Sequence, residues 1–251
     1  MTTSEAARPA ESVRAVTHHR GELLCVWCGP ALVVLLGAGL LLAGLWPPPR
    51  PTASPAEIAA FYTGHLLRTR IGLCLMMAGI ALLIPWGASI AVQTNRTRSG
   101  SPIYTYVQVA AVAVSAMIGV LSIVIWGTAA FRADELAPET TRTLNDLGWL
   151  FFVFDWSPLF VWYASVSLAI FGDRDDPPLF PRWSAYVGVW VALLSVPGGV
   201  VLLFKTGPLA FNGIIGIWIP LGVFFVWILV MTTLVISRIT QRGAMPETTV
   251  G

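Results

Sequence analysis

Charge is what this chain has least of. Only 11% of its 251 residues are Asp, Glu, Lys or Arg, against 56% hydrophobic, and its mean hydropathy is +0.74. A water-soluble domain carries roughly a quarter of its residues as charges, so this surface is too apolar for water and its solvent is largely lipid. The 15 Lys and Arg against 13 Asp and Glu are dispersed, and nothing in them indicates a nucleic-acid partner. Histidine is scarce too: His18 and His19 lie in the polar leader and His65 in a connection, which leaves no histidine pair inside an apolar stretch for a haem. Of three cysteines, Cys25 and Cys28 have C-x-x-C spacing without an adjacent His or acid, and Cys74 belongs to another stretch. They read as small buried residues and not as a zinc set. A nucleotide-binding loop after a strand is missing, so the chain cannot itself couple transport to ATP hydrolysis. No internal repeat points to an inverted-repeat transporter. Neither a metal nor a cofactor is expected.

What the sequence does have is six apolar stretches, at residues 23–46, 71–92, 103–131, 147–171, 184–204 and 214–237. Each has the roughly 20 residues a helix needs to cross a hydrocarbon core about 30 Å thick. The expectation is an all-α, polytopic transmembrane bundle of six helices, with a polar N-terminal segment over 1–22, a single domain over 23–238 and a flexible tail over 239–251. The first stretch lacks a small-residue cleavage pattern and reads as a retained helix. Arg8, Arg14, Arg20, Arg96, Arg98, Arg174, Arg182, Arg238 and Arg242 share one side of this topology, which places both termini in the cytoplasm of a multi-pass inner-membrane protein. Arg50, Arg68 and Arg70 fall on the other side and weaken that orientation.

Between the first two stretches, prolines 47–49 and 51 impose an extended exit. Ser54 then caps a short amphipathic helix opened by Pro55, with Glu57 three places on, and this helix lies at the interface or over the bundle mouth. Trp27, Trp46, Trp126, Trp149, Trp183 and Trp218 fall near span ends, as an interfacial belt would place them. Trp156, Trp162, Trp190 and Trp227 lie deeper, filling space between helices or lining a cavity.

The one acid inside a span is Asp155, in GWLFFVFDWSPLFVWY. An ionised carboxylate at that depth requires a cation, a polar cavity or a proton, so Asp155 must face protein or water. Pro158 removes the N–H that would bond the Phe154 carbonyl, so a kink beside Asp155 follows. Trp156, Trp162 and Tyr163 are candidates for the same site, and Arg70 or Arg132 can reach along a helix to neutralise a carboxylate below the surface. A simpler role for Asp155, pairing with an arginine to hold helices together, stays open. A second irregular region spans Pro197, Gly198, Gly199 and Pro220. Between these, KTGPLAFNG places Lys205 and Asn212 in an apolar connection that reads as folded partly back into the membrane mouth.

The phrases WPPPRPTASPAEIAAFY, PWGASI, WGTAAFR, LNDLGWL, FPRW and FKTGPLAFNG, taken in order over residues 24–238, resemble a group of poorly characterised actinobacterial multi-spanning membrane proteins. The resemblance implies a compact six-helix membrane protein and carries no catalytic assignment. From the residues themselves, the leading function is binding or translocation of a small hydrophobic or amphipathic molecule. The site would hold Asp155, Trp156, Trp162, Tyr163, Arg70, Arg132, Lys205 and Asn212. A membrane isomerase or cyclase with Asp155 as catalytic acid and a non-catalytic subunit of a membrane complex remain alternatives. Partners expected are membrane lipid, a hydrophobic small molecule, and another membrane protein or a second copy of the chain.

Overall fold

A computed structural model describes residues 8–96 and 101–244, with side chains for 20–96 and 101–241. Nine α-helices fill the described residues: α1 (Arg8–Leu42), α2 (Pro55–Gly64), α3 (Leu66–Ala81), α4 (Leu83–Thr94), α5 (Pro102–Phe131), α6 (Pro138–Phe154), α7 (Trp156–Gly172), α8 (Arg182–Ser195) and α9 (Ile219–Ala244). A 3₁₀ segment, Val196–Leu203, continues α8, and a π-helix, Ile214–Trp218, leads into α9. Together they make six segments long and apolar enough to cross a membrane, with α3–α4 forming the second, α6–α7 the fourth, α8 with the 3₁₀ segment the fifth, and the π-helix with α9 the sixth. The chain is therefore an all-α polytopic bundle, with α2 as the short helix between the first two spans.

The spans pack in sequence order and close into a ring, each against the next and α9 back against α1. Lipid supplies no hydrophobic force between helices, so close approach must come from small residues. The α1–α3 seam is an example. A Cβ on Gly72 would stand 2.4 Å from the Ala43 backbone nitrogen and 2.6 Å from the Gly39 carbonyl oxygen, so the two backbones are in contact there. We call the end of the ring holding Arg20, Arg96, Arg182 and Arg238 the terminal face, and the end holding α2 and the 204–213 connection the loop face.

Helix α2 has the start its sequence predicts. Ser54 accepts from the Glu57 N–H at 3.2 Å while the Glu57 carboxylate accepts from the Ser54 N–H at 2.7 Å, a complete capping box. The backbone bond holds the Glu57 carboxyl below the usual range, with the Ser54 hydroxyl a smaller cause. Ile58 and Tyr62 are buried as α2 lies on α6, and the Tyr62 hydroxyl donates to Asn145 Oδ1 at 3.3 Å.

Several boundaries and orientations differ from expectation. The fourth span starts at Pro138, with α6, instead of near residue 147, because a proline is preorganised for the first helical position and Glu139 suits the first turn. Helix α1 reaches back to Arg8 through the segment expected to be merely polar, and α9 runs to Ala244; the rest of the expected tail lies outside the described residues. Trp126 and Trp149 are fully buried against each other, ring centroids 4.8 Å apart, and not in an interfacial belt. Trp190, expected between helices, is 65% exposed on the outside of the ring. Trp27, Trp183 and Trp218 do point outward.

Candidate functional site

Four of the six spans are interrupted near the level of Asp155, each beside a proline. The second span breaks at Leu82, three residues before Pro85, and the fourth at Asp155, three before Pro158. The fifth turns from α to 3₁₀ at Val196, next to Pro197, and the sixth passes from π to α just before Pro220. Proline cannot donate to the preceding turn and crowds it. Broken helices are tolerated at membrane depth where protein or a cavity meets the released groups.

These interruptions surround a cavity of about 70 Å³ to which every span contributes. Asp155 lines it from the midpoint of the Pro138–Gly172 span, together with Trp156 and Tyr163. Ser195 and Gly198 approach from the fifth span and Gly216 from the π-helix. The glycines shape the wall: a Cβ on Gly198 would come within 2.9 Å of the Val153 carbonyl, and one on Gly199 within 2.8 Å of the Trp156 ring. Apart from Asp155, Tyr163 and Ser195, the lining side chains are apolar or tryptophan, so the carboxylate dominates its polarity.

Asp155 Oδ1 is buried and has no hydrogen-bond partner among the described residues. Ser115 of α5 faces the carboxyl closely enough to act on it, but its own Oγ is also buried and unpartnered, so the pair falls short of hydrogen-bond geometry. Buried polar atoms are nearly always paired, because an unpaired one costs on the order of 1–3 kcal/mol. Asp155 thus brings an unpaired buried oxygen to the cavity, with the unpaired Ser115 hydroxyl beside its carboxyl.

Toward the terminal face the cavity is closed by an aromatic block. Trp86, Trp162 and Trp227 pack edge to face with centroids 5.1–5.6 Å apart, and Tyr163 meets Trp227 at 4.8 Å. At these separations the rings fill their own space and leave no cage between them. Trp86 Nε1 donates to Thr232 Oγ1 at 2.9 Å, whereas Trp162 and Trp227 Nε1 lack partners among the described residues. Toward the loop face, Trp149 lies face to face with Phe211, centroids 6.0 Å apart. The buried Phe211 is what draws the 204–213 connection back into the bundle.

The structure thus brings Asp155, Trp156 and Tyr163 together and places Trp162 one layer behind. It sends the expected cations elsewhere. Arg70 donates to the Ala130 and Phe131 carbonyls at 3.1–3.2 Å, where the open end of α5 draws a positive charge. Arg132 pairs with Glu135 at 2.5 Å. Lys205 and Asn212 line a separate cleft on the loop face with Arg50. Sequence reasoning pointed to the irregular region that holds Gly198 but missed Ser115 and the wall glycine Gly216. Ser115 carried a readable signal, since Gln108, Ser115 and Ser122 recur every seven residues and all three are fully buried. Among the described residues, no three His, Cys, Asp or Glu side chains come close enough to hold a metal ion. No family model matches the chain, and no curated protein or solved structure shows significant similarity to it.

Proposed function

We propose that this six-span membrane protein binds and moves a small amphipathic molecule, whose hydrogen-bond-donating or cationic end lies against Asp155. The observation that carries this reading is the buried, unpartnered carboxylate oxygen of Asp155 in a cavity walled by all six spans. Intramembrane acids that face a bundle interior mark substrate or ion pathways, and discontinuous helices at the midplane are where transporters hold their cargo. Size narrows the class. At about 70 Å³ the cavity accommodates roughly five water-sized groups, so it fits a compact molecule or the polar end of a longer one. Trp156, the tryptophan in the cavity lining, supplies a face suited to a cation or an apolar body.

Placement of Arg20, Arg96, Arg182 and Arg238 at the terminal face supports an inner-membrane orientation with both termini in the cytoplasm. The test is untargeted small-molecule mass spectrometry on protein purified from its native membrane, wild type beside Asp155→Asn. A small amphipathic molecule should accompany the wild type and fall at least tenfold in the variant, with helix content unchanged by circular dichroism. The same molecule should then cross sealed vesicles containing wild type only. Equal recovery from both proteins, or none from wild type, removes the assignment of Asp155. Conversion of the molecule in detergent, without two compartments, would make the protein an enzyme instead.

A further inference from the structure

On the loop face, far from Asp155 in sequence, Arg50 of the first connection and Lys205 of the last meet in one cleft of about 260 Å³. Thr52, Thr206 and Asn212 line it with them, and no acid does. Glu57 and Asp146 act on these cations from a distance, yet among the described residues neither Arg50 nor Lys205 makes an ion pair. Two like charges from connections 155 residues apart, held around hydrogen-bonding groups, form a site for an anion.

Directly beside the cleft, between α1 and the sixth span, runs an apolar groove of about 310 Å³. Leu40, Leu41, Trp46, Trp218, Leu221 and Phe225 wall it, and Gly37 and Gly222 form its floor. The two depressions are joined: Trp218 Nε1 donates to the Asn212 carbonyl at 3.3 Å, and Trp46, in contact with Trp218 at 4.3 Å, is four residues before Arg50. The groove lies along the last turn of α1 and the first turns of α9, at hydrocarbon depth, while the cleft lies just past the helix ends, where lipid phosphates reside.

We infer that this seam binds a phospholipid with an anionic headgroup, its phosphate held by Arg50 and Lys205 and one acyl chain lying along the α1–α9 groove. A free phosphate would use the cleft and leave the groove without purpose; a zwitterionic lipid would bring its own ammonium group beside the two cations and add no net negative charge to balance them. Leu221 lines both this groove and the Asp155 cavity, so the bound chain presses on the cavity wall from the lipid side.

The experiment titrates detergent-purified protein with phosphatidylglycerol, phosphatidylcholine or inorganic phosphate and follows thermal unfolding. Phosphatidylglycerol should raise the midpoint saturably, and the other two should not. Arg50 and Lys205 are exposed, so the double variant Arg50→Gln with Lys205→Gln should fold and should raise the half-saturating concentration on the order of thirtyfold, about fivefold for each charge. Gly222→Leu, where a side chain meets open space within the groove, should weaken the effect with both charges intact. Asp155→Asn should keep it, which separates this site from the one in the cavity. Equal responses to both lipids, a response to inorganic phosphate matching that to phosphatidylglycerol, or an unaltered response in the double variant would each overturn the inference.

Discussion

Asp155 and Tyr62 show how differently a buried polar side chain can be used. Tyr62 is completed: its hydroxyl donates to Asn145 and anchors α2 to α6. Burial pushes that hydroxyl well above the usual phenol range, and the nearby Asp146 charge pushes it further in the same direction. Because the unfolded chain ionises first, near pH 10, Tyr62 favours unfolding as pH rises above that value and adds no pH dependence below it, where its hydrogen bond to Asn145 stabilises the fold. Tyr62→Phe should therefore cost on the order of 1 kcal/mol at neutral pH and make the alkaline loss of stability shallower, as read by thermal unfolding in detergent at pH 7 to 11. An unchanged alkaline slope would count against the burial of this hydroxyl. Asp155 is left incomplete, and its Ser115 neighbour with it. Ser115→Ala should leave the fold intact, since its hydroxyl has no hydrogen-bond partner among the described residues, and should lower recovery of the bound molecule less than Asp155→Asn does.

At the scale of elements, the capping box and the glycine seam make separate predictions. Glu57 is depressed in the folded state, so its contribution is present at neutral pH and lost as pH falls through and below the ordinary carboxylate range. Hydrogen exchange should show the first-turn amides of α2 losing protection in acid before the spans do, and Glu57→Gln should flatten that dependence. At the α1–α3 seam, Gly72→Leu should prevent the approach of the two backbones and lower the unfolding temperature sharply, because the atoms in the way are backbone atoms that cannot step aside. Gly222→Leu, facing open space, should not. These elements also divide what sequence revealed from what it did not. Span number and the α2 cap were legible, because hydrophobic length and the Ser54–Glu57 spacing act locally. So was the break at Asp155, since Pro158 dictates it from three residues away. The inward turn of Trp126 and Trp149, the outward turn of Trp190 and the capture of Arg70 by the end of α5 were not. Each depends on which neighbour a helix face meets, and that is decided by packing around the ring.

For the whole molecule, a closed ring of six spans holds one candidate polar site at its centre and another at its rim. The interruptions of the second, fourth, fifth and sixth spans bring Leu83, Asp155, Gly198 and Gly216 to the central cavity, so the deviations from regular helix are concentrated where the ring holds Asp155. The proposed orientation, with both termini in the cytoplasm, rests on the terminal-face arginines and is open to direct test. With Cys25, Cys28 and Cys74 replaced, a single cysteine at the exposed Thr52 should react with a membrane-impermeant maleimide in intact cells. Labelling only after lysis would reverse the topology without disturbing the bundle.

The central claim is that the Asp155 carboxylate turns into a protein-walled cavity which receives a polar group from outside the chain. A crystal structure grown from a lipidic mesophase, at a resolution that separates water from lipid, measures this most directly. The expected result is a non-protein group within hydrogen-bonding distance of Asp155, between α7, the 3₁₀ segment and the π-helix. A carboxylate packed against acyl chains, or a cavity closed by protein side chains, would contradict it.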